Sequence, residues 1–397
     1  MTDFARTKAM FHLPEGIVYL DGNSLGPLPR AATEAMARVM RAEWGGMLIG
    51  AWNKAGWMDM PRRMGDRIGA LIGAAPGTVV AGDTLSVKIY QALASALDMR
   101  PDRKVILSDT GNFPTDLYMA EGLIRTLGRG HTLKTVAPEA VEASIDEGVS
   151  VLLLTEVDYR TGRKHNMARL IEKAHEAGAL VIWDLAHSVG AFPIDVTSCG
   201  ADFAAGCTYK YLNGGPGAPA FIYIRPDHIE HAQPALSGWL GHATPFAFDP
   251  SYTAAPGIER MRVGTPPILQ MAALEAALDI WQGVDMQALR NRSIELTELF
   301  IAQCERRCPD LVLASPRDPQ QRGSQVSFHF AHGYSAMQAL IDHGVIGDFR
   351  APDIMRFGFA PLYIDEADVM TAVKVIESVM NGKLWVSPQY QARQGVT

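Results

Sequence analysis

Between residues 77 and 224 the chain alternates short apolar runs with longer amphipathic stretches. The runs are "GTVVAG", "KVILSD", "TLKTV", "VSVLLLTEV", "ALVIWD", "ADFAAGC" and "PAFIYI". The stretches around them are "MGDRIGALIGA", "SVKIYQALASALDM", "TDLYMAEGLIRTLG" and "NMARLIEKAHEAG", which read as helices. A strand with one wet face alternates apolar and polar residues, and "VLLL" does not, so it is buried on both faces. Helices must supply that cover, which makes a mostly parallel α/β layer structure.

After Pro267 the pattern changes. "ILQMAALEAALDIWQGV" and "LRNRSIELTELFIAQCERRC" read as long helices, and "SQVSFHF" and "MRFGFA" as strands of a smaller α+β unit. The expected organisation is an N-terminal segment, 1–45, packing on the small unit, a large α/β domain over 46–280, and a small α+β domain over 281–397.

The chain has 397 residues and a net charge of −7, so nothing draws it to nucleic acid or an anionic membrane. "ERRCPD" and "MPRRMGDR" are solvated helix faces rather than basic patches. No apolar stretch approaches the roughly 18 residues a membrane span needs, and the N-terminus has no signal-like core. A cytoplasmic protein is expected. Four cysteines, Cys199, Cys207, Cys304 and Cys308, are too few for a disulfide scaffold. Cys304 and Cys308 lack a second pair of ligands, so they are read as reduced thiols on one helix, and no metal site is expected.

Ligands of open α/β sheets bind beyond the carboxyl ends of the strands. Asp184 ends "ALVIWD", with His187 three residues on. Asp184 serves equally as an N-cap for "LAHSVG" or as a site carboxylate. "GCTYKYLNGGPG" changes the balance: Lys210 follows a short strand, lies between two tyrosines and precedes a glycine-rich loop. A desolvated lysine has a lowered pKa and is the better amine nucleophile, as bonding to a carbonyl cofactor requires. Pyridoxal phosphate needs such a lysine for its aldehyde, an acid for its pyridinium nitrogen and donors for its phosphate. Lys210 and Asp184 suit the first two, and the helix start at Thr84, Leu85 and Ser86 suits the third. Gly215, Gly217 and Ala220 match G-x-G-x-x-A, but Pro216 and Pro219 interrupt and a strand follows, so a dinucleotide fingerprint is rejected.

Six segments, "YLDGNSLGPLP", "SDTGNFPTDLYMAEGL", "IWDLAHSVGAFP", "GCTYKYLNGGPG", "LSGWLGH" and "MRFGFAPLY", together resemble kynureninase, a pyridoxal phosphate enzyme of fold type I, in the class V aminotransferase-like group. The resemblance runs from about residue 18 to 365. It implies that Lys210 bonds the cofactor aldehyde, Asp184 pairs with the pyridinium with His187 close by, and Phe113 lies against the ring. Asp116 would sit at the cofactor's polar edge, and Thr155 would reach the cofactor. Leu85, through its backbone N–H, Ser86 and Tyr209 would contact the phosphate. Trp239 and Thr265 match positions contributed by a second subunit, which implies a homodimer with shared sites. Arg356 would hold the substrate α-carboxylate as a bidentate fork, with Arg350 as the nearby rival. Trp52 would wall an aromatic substrate, with plain packing as the ordinary alternative.

The implied reaction is hydrolysis of L-kynurenine, or of 3-hydroxykynurenine, to anthranilate (or its hydroxylated form) and L-alanine by Cβ–Cγ cleavage. Lys210 would act as acid and base and Tyr209 as a proton relay. Trp52 and Thr265 lean toward the unsubstituted ring, since a ring hydroxyl needs a polar partner. Tryptophan catabolism, the kynurenine pathway and NAD biosynthesis are the settings it implies. A cysteine desulfurase-like lyase, an aminotransferase and a non-catalytic binding protein share the fold and are the alternatives.

Overall fold

The computed structural model describes residues 2–392. Its centre is a seven-stranded sheet. The strands are β1 (Val79–Ala81), β2 (Val105–Asp109), β3 (Thr132–Val136), β4 (Val149–Thr155), β5 (Leu180–Asp184), β6 (Phe203–Gly206) and β7 (Phe221–Ile224). Their order is β1-β7-β6-β5-β4-β2-β3. The pairs β3·β2, β2·β4, β4·β5 and β5·β6 are parallel. Only β7 runs antiparallel to its neighbours, β1 and β6.

The unbroken apolar runs have a direct cause. Leu152 and Leu154 of β4 pack on one face with Val181 and Trp183, whereas Val151 and Leu153 pack on the other with Leu180 and Ile182. The second face is covered by α2 (Leu85–Asp98) and α3 (Pro114–Leu127), through Ile89, Ala92, Leu93, Ala96, Ala120 and Leu123. The first is covered by α1 (Met60–Leu71), α4 (Met167–Glu176) and α5 (Ile268–Asp279). Burial on both sides at about 25 cal/mol per Å² of apolar surface supports a sheet of this size.

The smaller unit is an antiparallel sheet in the order β8-β9-β11-β10, from β8 (Val312–Leu313), β9 (Gln325–His329), β10 (Asp348–Arg350) and β11 (Ile354–Gly358). Helices α6 (Met286–Arg307), α7 (Gly333–Asp342) and α8 (Glu366–Asn381) pack with it. Phe300 of α6 meets Phe328, Phe357 and Phe359 at ring distances of 5.0 to 6.0 Å. The N-terminal residues reach this unit: Val18–Tyr19 pairs in parallel with Val345–Ile346, and Lys8 lies 2.7 Å from Asp365. Cys304 lies within α6 and Cys308 caps it, both buried as free thiols.

One local reading is corrected. No helix follows Asp184; residues 185–191 form turns, so the carboxylate caps nothing helical. The strand β10 carries only three residues, too few for a periodic signal. Among the described residues, no helix is long and apolar enough to cross a membrane.

Because β2, β4, β5 and β6 are parallel, their carboxyl ends fall on one edge. That edge presents Asp109, Thr155, Asp184 and, four residues beyond β6, Lys210.

Candidate active site

Thr155 and Asp184 are direct partners in the β4·β5 register. Asp184 is 1% exposed, and its Oδ1 accepts the Ala186 backbone N–H at 2.7 Å. Thr155 Oγ1 lies within hydrogen-bond reach of Asp184 Oδ2, at 3.3 Å, and of Asn112 Oδ1. Asn112 is in turn held by Ser108 Oγ at 2.9 Å, and its Oδ1 accepts the Phe113 N–H at 2.8 Å. The start of α3 is thereby tied to the strand ends.

Asp116, in the first turn of α3, is also 1% exposed, and its Oδ2 has no hydrogen-bond partner among the described residues. Burial and the neighbouring Asp184 charge push its carboxyl well above the ordinary range. Burial raises Asp184 too, and the Lys210 ammonium opposes the rise. Two enclosed carboxyls with one cation nearby keep a proton between them, because like charges at short range disfavour joint ionisation.

Lys210 is half-buried, less enclosed than its sequence setting suggests. Its Nζ donates to His187 Nε2 at 2.8 Å, and lies 5.9 Å from the ring centres of both Phe113 and Tyr209. Burial and the Lys210 charge push His187 far below its ordinary value, so the imidazole is neutral. An ammonium has only donors, so Nε2 accepts and Nδ1–H donates to Gln325 Oε1 at 3.0 Å. His187 therefore bonds Lys210 and the small unit rather than Asp184. The backbone of Lys210 is fixed by Gly26, whose N–H donates to Tyr209 O at 2.7 Å. A Cβ at Gly26 would stand 2.4 Å from Lys210 O, so only glycine permits this approach. The Cys207 sulphur and burial push the Tyr209 phenol up, which keeps it protonated.

The arginines arrive from β10 and β11. Arg356 is buried, and its Nε lies 2.7 Å from Asp348 Oδ1 while Nη2 bonds Asp348 Oδ2. The fork expected to be free for a substrate carboxylate is thus already engaged by Asp348, a residue whose isolated position carried no signal. Nη2 also reaches Ser24 Oγ at 2.7 Å, and Nη1 bonds Tyr159 O. Arg350 Nη2 shares Asp348 at 2.7 Å and is partly exposed. Burial first, and Asp348 second, raise Asp21 to about 8. At neutral pH two guanidiniums therefore face one ionised carboxylate, and the cluster carries one net positive charge.

Leu85 and Ser86 open α2 after the Thr84 cap, where backbone N–H groups and the helix dipole favour an anion. Phe113 is 39% exposed and lies edge-on to Tyr159, with ring centres 5.2 Å apart. Two expected contributors stand apart in the single chain. Trp52 and Trp239 line one apolar cavity of about 220 Å³ with Ile49, Met58 and Phe246. Thr265 lines a different, narrow cavity with Asp83, Lys88 and Arg262. Trp52 and Thr265 thus line different cavities among the described residues. Trp239 is 43% exposed.

These features fit pyridoxal phosphate: a buried strand-end carboxylate, Asp184, for a ring N–H, a second buried carboxyl with an unpartnered oxygen, Asp116, an exposed aromatic for a ring face, a helix start for a phosphate, and an amine, Lys210, at the same strand ends. Sequence reasoning missed Asn112, Gln325, Asp348 and Ser24. Asn112 adjoins Phe113 and was within reach, whereas Gln325 lies 138 residues from its partner His187.

Comparisons with known proteins bear on the family and the fold. Residues 289–376 match the family described as kynureninase C-terminal domain. The chain is 48% identical over 400 aligned positions to the kynureninase of Pseudomonas fluorescens, covering 99% of this chain and 96% of the relative. It is 47% identical, with the same coverage, to the kynureninase of Burkholderia pseudomallei. Among solved structures, a cysteine desulfurase from Escherichia coli superposes with a TM-score of 0.81 at 21% identity, covering 96% of this chain and 99% of that one. A cystine C–S lyase superposes with a TM-score of 0.76 at 19% identity, covering 91% and 98%. At such identities these two share the fold alone.

Asp116 binds its proton more tightly folded than unfolded, so the stability it confers is greatest below about pH 4 and falls as pH climbs toward the folded value. Asp116→Asn has no proton to lose. The melting temperature of the cofactor-free variant relative to wild type should therefore rise between pH 4 and pH 8; parallel curves would show that Asp116 is not held protonated.

Proposed function

The chain belongs to the kynureninase family, and from that premise we propose that it hydrolyses L-kynurenine to anthranilate and L-alanine, with Lys210, Asp184 and Tyr209 as its proton-handling residues. The observation that carries the reading is the meeting of a half-buried lysine with two buried carboxyls, Asp184 at the end of a central parallel strand and Asp116 in the first turn of α3. Pyridoxal 5'-phosphate, when bound, supplies an aldehyde for the substrate amine and a protonated ring that takes up electrons from the bonds being broken.

The protein's own residues do the rest. Lys210 would hold the cofactor aldehyde at rest and, once the substrate amine displaces it, would take the substrate α-proton and give protons back later in the cycle. His187, neutral and anchored by Gln325, receives a hydrogen bond from Lys210 and holds its amine in place. Asp184 keeps a proton on the ring nitrogen, and Asp116 supports it from α3. Phe113 covers a ring face, and Thr155 orients Asp184 and reaches the ring's edge. Leu85 N–H, Ser86 and Tyr209 hold the phosphate. Tyr209, kept as a protonated phenol, delivers a proton to the carbon that becomes the alanine methyl.

The Arg356–Arg350 pair takes the α-carboxylate through its single excess positive charge, with Arg356 fixed by Asp348. Trp52 walls the aromatic ring. Trp239 and Thr265 reach the site of a second copy, so the working unit is a homodimer. Exposed Trp239, Phe246 and Ile49 around the Trp52 cavity support that reading, since apolar surface of this kind seeks cover. The mostly apolar lining around Trp52, with Asn53 its one polar side chain, supports unsubstituted kynurenine over 3-hydroxykynurenine. We place the enzyme in the cytoplasm, in tryptophan catabolism. The desulfurase alternative needs a reactive cysteine on an open loop. Cys207, Cys304 and Cys308 are buried with raised thiols, and Cys199 is half-buried with its thiol raised as well.

The test is direct. Purified protein loaded with pyridoxal phosphate should convert L-kynurenine to equal amounts of anthranilate, read by fluorescence, and alanine, and Lys210→Ala should reduce both to background. A loaded protein that makes neither product, or a Lys210→Ala variant of near-normal rate, would overturn the assignment.

A pH effect follows from Asp21. Above about pH 8 its ionisation cancels the cluster's net charge, so KM for kynurenine should climb by up to about tenfold per pH unit. In Asp21→Asn that climb should vanish with little change at pH 7. An unaltered profile would separate Asp21 from carboxylate binding.

A further inference from the structure

We propose that Lys88 is a positioning residue for the cofactor phosphate: it neutralises Asp83 and ties the start of α2 to the segment that carries Thr265. The proposal rests on the reading of the Leu85–Ser86 turn as the phosphate site.

Asp83 directly precedes the Thr84 cap of α2, in the left-handed region at φ +54°. A carboxylate there opposes the purpose of the turn, because it repels the dianion that the helix N–H groups attract. Lys88, one turn into α2, is 1% exposed. Its Nζ lies 2.8 Å from Asp83 Oδ2, 3.0 Å from Gln91 Oε1 and 2.8 Å from Met261 O. All three ammonium protons are thus engaged. Burial lowers the Lys88 value, and the Asp83 charge opposes the fall.

A buried ammonium is costly, and a neutral side chain could bond Met261 O just as well. The charge is explained by Asp83: paired with Lys88, that carboxylate is neutralised and drawn toward the protein interior. The bond to Met261 O, seconded by Gln91 Nε2 at 3.3 Å, fixes the chain four residues before Thr265. Arg262 does not perform this task, since it pairs with Glu259 at 2.7 Å.

The test compares dissociation constants of the cofactor-free protein for pyridoxal phosphate and for pyridoxal, which bonds Lys210 but has no phosphate. Lys88→Met should weaken pyridoxal phosphate by on the order of tenfold or more and leave pyridoxal unchanged. Adding Asp83→Asn should restore most of the loss, because no carboxylate then needs a partner. An equal loss for both ligands, or no recovery in the double variant, would make Lys88 a strut of the fold and overturn the proposal. Ser86→Ala separates the two levels of the argument: if it weakens both ligands alike or neither, the phosphate site lies elsewhere and the proposal falls with that reading. Should Lys88→Met not fold, Asp83→Asn alone decides, since it should tighten pyridoxal phosphate only. No change, or a weakening, would overturn the proposal.

Discussion

A carboxylate pair without water is the constraint on which the site depends. Asp184 and Asp116 are held at 1% exposure at the end of a central strand and in the first turn of the helix covering the sheet. Such a pair is unfavourable unless a proton or a cation joins it. The protein supplies part of the answer through Lys210. On the proposed reading, a ligand with a ring N–H would supply the remainder, which would turn an electrostatic cost of the fold into affinity and keep that ring electron-poor. Stability and chemistry are thus set by the same two side chains.

The sheet makes this arrangement possible. Parallel strands bring Asp109, Thr155, Asp184 and Lys210 to one edge from positions up to a hundred residues apart, with no need for local sequence proximity. The small unit completes the enclosure through single residues. Gln325 of β9 sets the tautomer of His187, and Asp348 of β10 holds Arg356. The loop from Asp21 to Gly26 threads between the two units, touching Arg356 through Ser24 and the lysine backbone through Gly26. Any shift between the units would therefore be felt at both Arg356 and the backbone beside Lys210.

Much of this was legible in the chain. The unbroken runs "VLLL" and "LVIW" require two covered faces, and the structure covers them with α2 and α3 on one side and α1, α4 and α5 on the other. Asp184 alone reads equally as a cap or a site carboxylate, and it is Lys210, between two tyrosines before a glycine-rich loop, that tips the balance. What stayed hidden was of two kinds. Gln325 and Ser24 act through partners 138 and 332 residues away and Asp348 lies on a three-residue strand, and periodicity carries no information about them. The commitment of the Arg356 fork to Asp348 is a matter of packing, as is the separation of Trp52 from Thr265 within one chain. The motif names the residue type; only the fold says which of its bonds are already spent.

The most direct measurement is the nitrogen-15 chemical shift of ring-labelled pyridoxal phosphate bound to the full-length protein, followed across neutral and alkaline pH and repeated with Asp184→Ala. The account expects a protonated ring nitrogen throughout that range in the wild-type protein and loss of that proton in the variant. A ring nitrogen that is unprotonated in the wild type, or equally protonated without Asp184, would contradict the claim that the buried carboxyl pair exists to hold it.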